Sequence, residues 1–452
     1  MDHLADVAVV DPRDGSITPH QDIHFSAGRI ASIGSTASPG GGRTRFVVPG
    51  FVDMHAHPLN LADPTPALRL MLSFGITGYR QMSGTPALLR NRPAADSRSP
   101  GLLATPGSVL TPINAGTPAQ AAAEVRRQAA AGADFIKVAV ATPVVYAAIQ
   151  AEADRAGLPV VGHLPTGIDV REARYRSIEH LGPGLGLLAG CSDHEDHLRT
   201  ATAGAPLKAP PFPIPFAGRI AEILIRRIVL NPTQLTTPAM LDSTREAIDT
   251  FTEDKARALA RHFAATETWN CPTLIRVKAQ QLCADPVFPS DPDLRYATAK
   301  ERKAWTAAAK AFRRKFDESQ RAVFAEQFAL QLRMVKILDE EGAPLLAGTD
   351  AVGAAWVVPG ASLHDEFDLL SEAGLTPLRI LQTATVDPAR FLHREDVSGT
   401  VDPGKEADLV LLSADPTAAA TNLHQLIGVI RAGRHYSTDD LNPLRNSNTA
   451  AA

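Results

Sequence analysis

Six residues of metal-binding type close short apolar runs in this chain. The first two, His55 and His57, end Pro49-Gly50-Phe51-Val52-Asp53-Met54-His55-Ala56-His57-Pro58. Residues two apart on a strand share a face, so both imidazoles can reach one ion. A lone pair at this spacing is more often structural, but its place at the end of an apolar strand turns the reading toward metal. Lys137 lies inside Phe135-Ile136-Lys137-Val138-Ala139. An ammonium there is costly unless it is paired or modified. Burial lowers a lysine's pKa, and the neutral amine can add carbon dioxide to give a carbamate able to bridge two cations. The plainer alternative is a strand-end lysine that reaches solvent.

His163 closes Leu158-Pro159-Val160-Val161-Gly162, and His180 closes Ser177-Ile178-Glu179. Strand alternation predicts that the Glu179 side chain points the opposite way from His180. Imidazoles suit zinc or a similar ion. Asp350 ends Pro344-Leu345-Leu346-Ala347-Gly348-Thr349. An aspartate after Gly-Thr is ordinarily a turn or a helix cap. At a strand end it can instead ligate a metal and accept a proton from a water whose pKa the ion has lowered.

These residues need strands to hold them. Short apolar runs alternate with helical stretches, as in βα units with a parallel sheet. The candidate strands are Phe46 to Met54, Thr77 to Gln81, Gly101 to Thr105, Phe135 to Ala139, Pro159 to Gly162, Ser177 to Glu179, Thr268 to Leu274 and Pro344 to Ala347. Eight is the number that closes a barrel. Thr117-Pro118 and Thr376-Pro377 each place a capping hydroxyl before a proline at the first helical position.

The two ends of the chain have a different texture. Val7 to Val10, Asp22 to Phe25 and Arg29 to Ile33 read as strands, the last two joined at Ala27-Gly28. Asp408 to Leu412 and Ile427 to Arg431 repeat the pattern, with a second turn at Ala432-Gly433. The predicted fold is therefore α/β: a (β/α)8 TIM-type barrel over 49–393, with a small β-sandwich domain built from both termini, 1–48 and 394–440. Insertions at about 183–265, which hold the Pro-rich run Ala209 to Pro215, and at about 292–340, helical from about Tyr296 to Leu338, suit lids or equally surface elaborations. Asn446 to Ala452 read as a disordered tail.

The order His-x-His, Lys, His, His, Asp on strands one, four, five, six and eight resembles the binuclear amidohydrolase superfamily, over nearly the whole chain. Pro49-Gly50-Phe51-Val52-Asp53 and the run Gly399-Thr400-Val401-Asp402-Pro403-Gly404-Lys405-Glu406-Ala407-Asp408-Leu409-Val410 resemble its junctions between sheet and barrel. Ser177-Ile178-Glu179-His180-Leu181-Gly182, and Leu375-Thr376-Pro377 with Ala384-Thr385, are most similar to the branch holding prolidase-like dipeptidases, ochratoxin-type amidases and relatives of imidazolonepropionase. The resemblance implies two divalent ions, zinc by expectation. His55, His57 and Asp350 would hold the more buried ion, His163 and His180 the more exposed one, and a carbamate on Lys137 would bridge them. It further implies a bridging hydroxide that attacks a carbonyl while Asp350, as catalytic residue, takes the proton and returns it to the leaving group.

Two departures bear on substrate. Ala139 to Val144, Ala-Val-Ala-Thr-Pro-Val, lacks the Ser/Gly-rich loop that follows the lysine in peptidase-like relatives. Leu-Pro-Thr after His163 lacks the glutamate of the deaminase branch, which favours amide hydrolysis. The expected reaction is cleavage of an amide or peptide-like bond in a small N-acyl or dipeptide-like substrate. Cyclic amides, lactones or carbamates are the alternative, and a metal-free binding or assembly protein is a second one. No substrate contact is assigned: His364, Glu366, Trp269, Cys271, Arg174 and Arg176 suit packing or surface equally well.

The chain as a whole fits such an enzyme. Its 452 residues are 44% apolar and 21% charged, ordinary for a globular protein. A formal charge of -4 supplies no basic stripe for nucleic acid or an anionic membrane. Cys191, Cys271 and Cys283 are too few and too odd a set for a disulfide framework. No apolar stretch approaches the roughly 20 residues of a membrane span, and Met-Asp-His-Leu-Ala-Asp-Val does not read as a secretory signal. The expectation is a cytoplasmic homo-oligomer acting on a small molecule.

Overall fold

The computed structural model describes residues 3–37, 40, 42–94, 96–202 and 230–450. Both ends of the chain enter one seven-stranded sheet, in the order β14-β13-β12-β4-β1-β2-β3. Its members are β1 (His3–Val10), β2 (Ile17–Ser26), β3 (Arg29–Ser35), β4 (Phe46–Pro49), β12 (Leu409–Leu412), β13 (Leu426–Arg431) and β14 (Arg434–Ser437). β4 joins the two ends, pairing parallel with β1 and antiparallel with β12. The alternation of its residues explains its unbroken apolar sequence. Val47, Leu409 and Leu411 face a core with Leu4, Ile23, Phe25 and Ile430, whereas Val48, Val410 and Leu412 join the main core of the molecule. A strand covered on both faces has no use for a polar side. The turns at Ala27-Gly28 and Ala432-Gly433 have positive φ at both residues, as two-residue hairpins require.

The middle of the chain forms parallel sheets. β5 (Phe51–Ala56), β6 (Ile76–Gln81) and β7 (Gly101–Ala104) make one of three strands; β8 (Ile136–Val138), β9 (Val160–Gly162), β10 (Ser177–Glu179) and β11 (Trp269–Cys271) make one of four. The sheets meet at both edges. Leu110 bridges Val138 on one side. On the other, Leu345 bridges Asn270, and Ala347 accepts a hydrogen bond from Met54 (3.0 Å). Thr117 and Thr376 cap their helices as predicted, accepting from the backbone of Gln120 and Arg379.

Several boundaries differ from the sequence reading. Phe46 to Met54 is two strands, β4 and β5, in different sheets, divided at Gly50, whose amide binds Asp408 O (2.8 Å). A Cβ at Gly50 would lie 2.1 Å from Thr77 Oγ1, so the chain passes this point only as glycine. Thr268 to Leu274 shortens to β11 because Thr273 takes φ 46° and starts the helix Leu274–Gln281. Pro344 to Ala347 makes a single bridge at Leu345, not a strand. The helical stretch from Tyr296 to Leu338 divides into Ala299–Lys315 and Glu318–Glu340, because Asp317 forms a capping box with Gln320 and starts a new helix. Asn446 to Ala450, read as tail, continue the helix Thr438–Ala450. The run Ala209 to Pro215 lies outside the described residues.

The two insertions pack on each other. The helix Glu318–Glu340 rests against Pro238–Asp249, Glu253–Thr266 and Leu274–Gln281. Arg245 pairs with Glu326, and Arg257 spans Glu253, Glu340 and Glu341.

Candidate metal centre

β5 ends at the site, and the segment 348–350 is pinned to it. Buried Asp53 accepts from His55 N (3.1 Å) and Thr349 N (3.1 Å), and from Thr349 Oγ1 at 2.7 Å. Burial pushes its carboxyl up to about 7. Asp350 N binds His55 O (2.6 Å), with Asp350 in a left-handed conformation (φ 60°) that sparsely populated backbone geometry makes costly. The approach is close: a Cβ at Gly348 would meet Cys271 Sγ at 2.7 Å and His55 Cβ at 2.8 Å. In consequence Asp350 Oδ1 stands 2.8 Å from His57 Nε2 and 3.4 Å from His55 Nε2. One ligand atom from each of the three lies within 4.8 Å of the others.

The hydrogen bonds fix which nitrogen of each histidine is open. His55 Nδ1 is 2.6 Å from Glu179 Oε2, and His163 Nδ1 is 3.1 Å from Ala139 O; both partners only accept. His180 Nδ1 meets Thr273 Oγ1 at 2.5 Å, whose own proton goes to Pro272 O (2.8 Å). His57 Nδ1 meets Ser83 Oγ at 2.7 Å, whose proton goes to Asn60 Oδ1 (2.9 Å). All four rings therefore carry their proton on Nδ1 and turn the Nε2 lone pair inward, the tautomer that outer partners impose on metal-ligating histidines. Four such lone pairs beside a carboxylate repel unless a cation stands among them. The rings form a chain, with His55 and His57 centred 5.4 Å apart, His55 and His180 4.4 Å, and His163 and His180 5.2 Å.

Lys137 is 3% exposed and its Nζ has no hydrogen-bond partner among the described residues. Burial lowers its pKa to about 8, against the pull of Glu179 and Asp350. An orphaned, readily neutralised amine next to these carboxylates fits the carbamate chemistry. Burial also holds His163 and His180 well below the usual imidazole range, with Arg276 adding to the effect at both and Lys137 at His163.

Below His55 lies a buried ionic network that the sequence reading missed. Glu179 does not turn away from the site. His180 takes φ 59°, the alternation breaks there, and Glu179 and His180 both reach His55. Glu179 Oε1 pairs with Arg80 Nη2 (2.9 Å) and accepts from Ser177 Oγ. Arg80 also donates to Met54 O (2.7 Å), and its guanidinium stacks between Phe135 and Phe391. Burial would raise the Glu179 carboxyl, but Arg80 and His55 hold it low. Ser177-x-Glu179 is the one visible signal, since residues two apart share a strand face.

Arg276 was also missed. It stands one turn into the helix after β11, 8% exposed, and its Nε donates to Asp350 Oδ2. Despite burial, this pairing keeps the Asp350 carboxyl well below the usual range. The unassigned rim candidates separate. Trp269 is fully buried under Arg176 and Arg390, and Arg174 pairs with Asp154. His364 Nε2 contacts Phe74 O, and Glu366 accepts from Ile275 N (2.8 Å). Cys271 lies within ligand distance of His55 and Glu179, but burial raises its thiol well above the ordinary value and keeps it neutral.

The sequence profile of the amidohydrolase family matches residues 328–435. No curated protein matches the chain. Among solved structures, a bottromycin amidohydrolase is similar at 27% identity and TM-score 0.73, covering 99% of this chain and 90% of its own. A Xaa-Pro dipeptidase solved with bound methionine has 17% identity and TM-score 0.58, over 96% of this chain and 99% of its own. The A. niger ochratoxinase has 14% identity and TM-score 0.55, over 96% and 95%. The last two show a shared fold.

Proposed function

Because this chain belongs to the amidohydrolase superfamily and is an enzyme acting on carbon–nitrogen bonds, we propose that it is a metal-dependent hydrolase of the prolidase-like branch. Its substrate is a small N-acyl or dipeptide-like molecule with an amide or peptide-like bond. We read the two parallel sheets and the 344–347 segment as a closed (β/α)8 barrel over 49–393, and the terminal sheet as a sandwich from 1–48 and 394–440. Eight parallel segments joined at both edges support that reading.

The observation that carries the proposal is the shared tautomer of His55, His57, His163 and His180, with four inward Nε2 lone pairs and Asp350 among them. His55, His57 and Asp350 would hold one divalent ion, and His163 and His180 a second. A carbamate on Lys137 would lie between them. Imidazole and carboxylate ligands accept zinc, and manganese, cobalt or iron as well. Bound there, the ions supply a water-derived nucleophile at neutral pH and polarise the scissile carbonyl.

The chain's own residues do the rest. Glu179, Ser83, Ala139 and Thr273 orient the four rings. Arg276 keeps Asp350 ionised, so its Oδ1 can take the proton of the attacking water and return it to the leaving nitrogen. The three cysteines are free and buried, which suits a cytoplasmic enzyme, and no helix of the described residues is long and apolar enough to cross a membrane. Assembly of several copies is part of the same reading.

The test is a hydrolysis screen of the metal-loaded chain against N-acyl amino acids, dipeptides and lactones. Cleavage of amides that stops on chelation and returns with metal is the expected result. Turnover of lactones alone would move the assignment to the ester side of the superfamily.

A further inference from the structure

Six large apolar side chains stand exposed among the described residues, and three of them, Ile113, Val140 and Val144, follow β7 and β8 at the strands' C-terminal ends. The two segments are joined: Leu110 N donates to Lys137 O (2.8 Å), and Leu110 O accepts from Ala139 N (3.0 Å). Ile113, 81% exposed, lies in a tight turn that Asn114 fixes by accepting from Thr111 N (2.9 Å) and donating to Val109 O (3.0 Å). Val144, 69% exposed, stands in the first turn of the helix Pro143–Ala156, whose start Thr142 caps. A single apolar side chain in water needs no explanation, but grouped ones on firmly held backbone mark a binding surface. The surface is also uncharged, because residues 105–117 and 138–151 contain no Asp, Glu, Lys or Arg.

This surface borders the metal centre. Ala139 O, next to Val140, lies 3.1 Å from His163 Nδ1. Of the six proposed ligands, His57 and His163 are partly exposed and the other four are buried, so the centre opens along these two. Their surroundings differ. Asp350 stands 2.8 Å from His57 and 3.4 Å from His55, at one end of the chain of rings, and His163 is at the other end. A proton returned by Asp350 puts the leaving nitrogen at the His57 end. The acyl half of the amide then extends past His163 toward Val140.

We propose that Ile113, Val140 and Val144 form an acyl subsite, which makes the substrate an amide whose acyl half is apolar and uncharged: an N-acyl compound with an alkyl or aryl chain, not a dipeptide with a free α-amine. This inference rests on the amide-hydrolase reading above and narrows its substrate class. Each methylene that leaves water on this surface adds up to about fourfold in binding. An α-ammonium in the same place would lose water with no carboxylate on either segment to receive it.

The test uses the full-length zinc-loaded chain and N-acyl derivatives of glycine, alanine, phenylalanine and proline, with acetyl, butanoyl or hexanoyl as the acyl group. The norleucyl dipeptides, which add an α-ammonium to the hexanoyl chain, complete the set. Initial rates give kcat/KM, and calorimetry gives the affinity of any member that is not turned over. From acetyl to hexanoyl the value should rise about tenfold or more, and norleucyl should fall about tenfold or more below hexanoyl. In Ile113→Ser, Val144→Ser and their double variant the rise should flatten, with metal content and Tm as in the wild type. No rise in the wild type, or a rise that survives the double variant, would overturn the subsite. So would a double variant whose mass in solution differs from wild type by light scattering, which would assign the surface to a contact between copies. Affinity that rises with acyl length and flattens in the variants, with no amide cleaved, keeps the subsite and loses the hydrolase reading. Amides cleaved without regard to acyl length do the reverse.

Discussion

At the scale of single residues, the site depends on partners that impose one tautomer on each histidine. The chain of contacts from Arg80 through Glu179 to His55 is the most buried of these. Glu179→Gln keeps the shape but weakens the hold on His55 Nδ1–H, so metal affinity should fall by about 10–100-fold, the usual effect of such an outer partner. A competition titration with a chromophoric chelator measures this, and an unchanged affinity would mean the network serves only packing. Asp350→Asn removes the proton acceptor and should lower kcat by about 10²–10⁴-fold. Full turnover with intact metal would remove Asp350 from catalysis.

The sequence displays the six ligand positions because each follows an apolar run, where a polar side chain is conspicuous. It does not display Arg80, Glu179 and Arg276 as a group. Arg80 and Glu179 are 99 residues apart, Arg276 and Asp350 74 apart, and no local period links residues whose bond depends on how strands are placed around a common centre. The positive φ at His180, which breaks the alternation and brings His180 to His55 alongside Glu179, is likewise invisible where alternation is the only guide.

Among the elements, the strands were legible and their ends were not. β8, β9 and β10 fall within their apolar runs, whereas Thr273 and Gly50 divide runs of uniform composition for reasons of backbone conformation and close approach. The break between the helices Ala299–Lys315 and Glu318–Glu340 rests on Asp317, which accepts from Gln320 N (2.9 Å). Asp317→Ala removes this cap and loosens the start of the second helix. Hydrogen exchange should then quicken in the first turn of Glu318–Glu340, and unchanged rates there would show that the packing of Phe316 and Phe324 alone sets the break.

The contact of Ala361–Glu372 with Leu274–Gln281 contains a second testable group, Glu366. Burial raises its carboxyl to about 8, against an ordinary 4.5. The folded chain thus keeps a proton that the unfolded chain releases, so stability falls as pH rises from the ordinary carboxylate range to about 8. Glu366→Gln abolishes that titration. The Tm of the variant should gain on wild type as pH is raised through this interval, and a constant difference would contradict the assignment.

At the scale of the molecule, the outline of one α/β body with a sheet from both termini could be read from texture alone: unbroken apolar runs alternating with helices in the middle, hairpin turns at Ala27-Gly28 and Ala432-Gly433 at the ends. The packing of the two insertions could not. Their ion pairs join Arg245 to Glu326 and Arg333 to Glu253, charges that locally look like solvated helix faces. Ligands that bridge β5, β8, β9, β10 and the 348–350 segment link distant parts of the chain, so bound metal should stabilise the whole fold by mass action. Tm should drop on chelation and recover with added zinc.

The most direct test of the account is the metal content of protein purified without chelator and with bicarbonate present. About two divalent ions per chain are expected, as a two-metal hydrolytic site needs, with a fall in that number when Lys137 is replaced by Ala. A chain that holds no ion, and gains neither stability nor activity from added zinc, manganese, cobalt or iron, would contradict it.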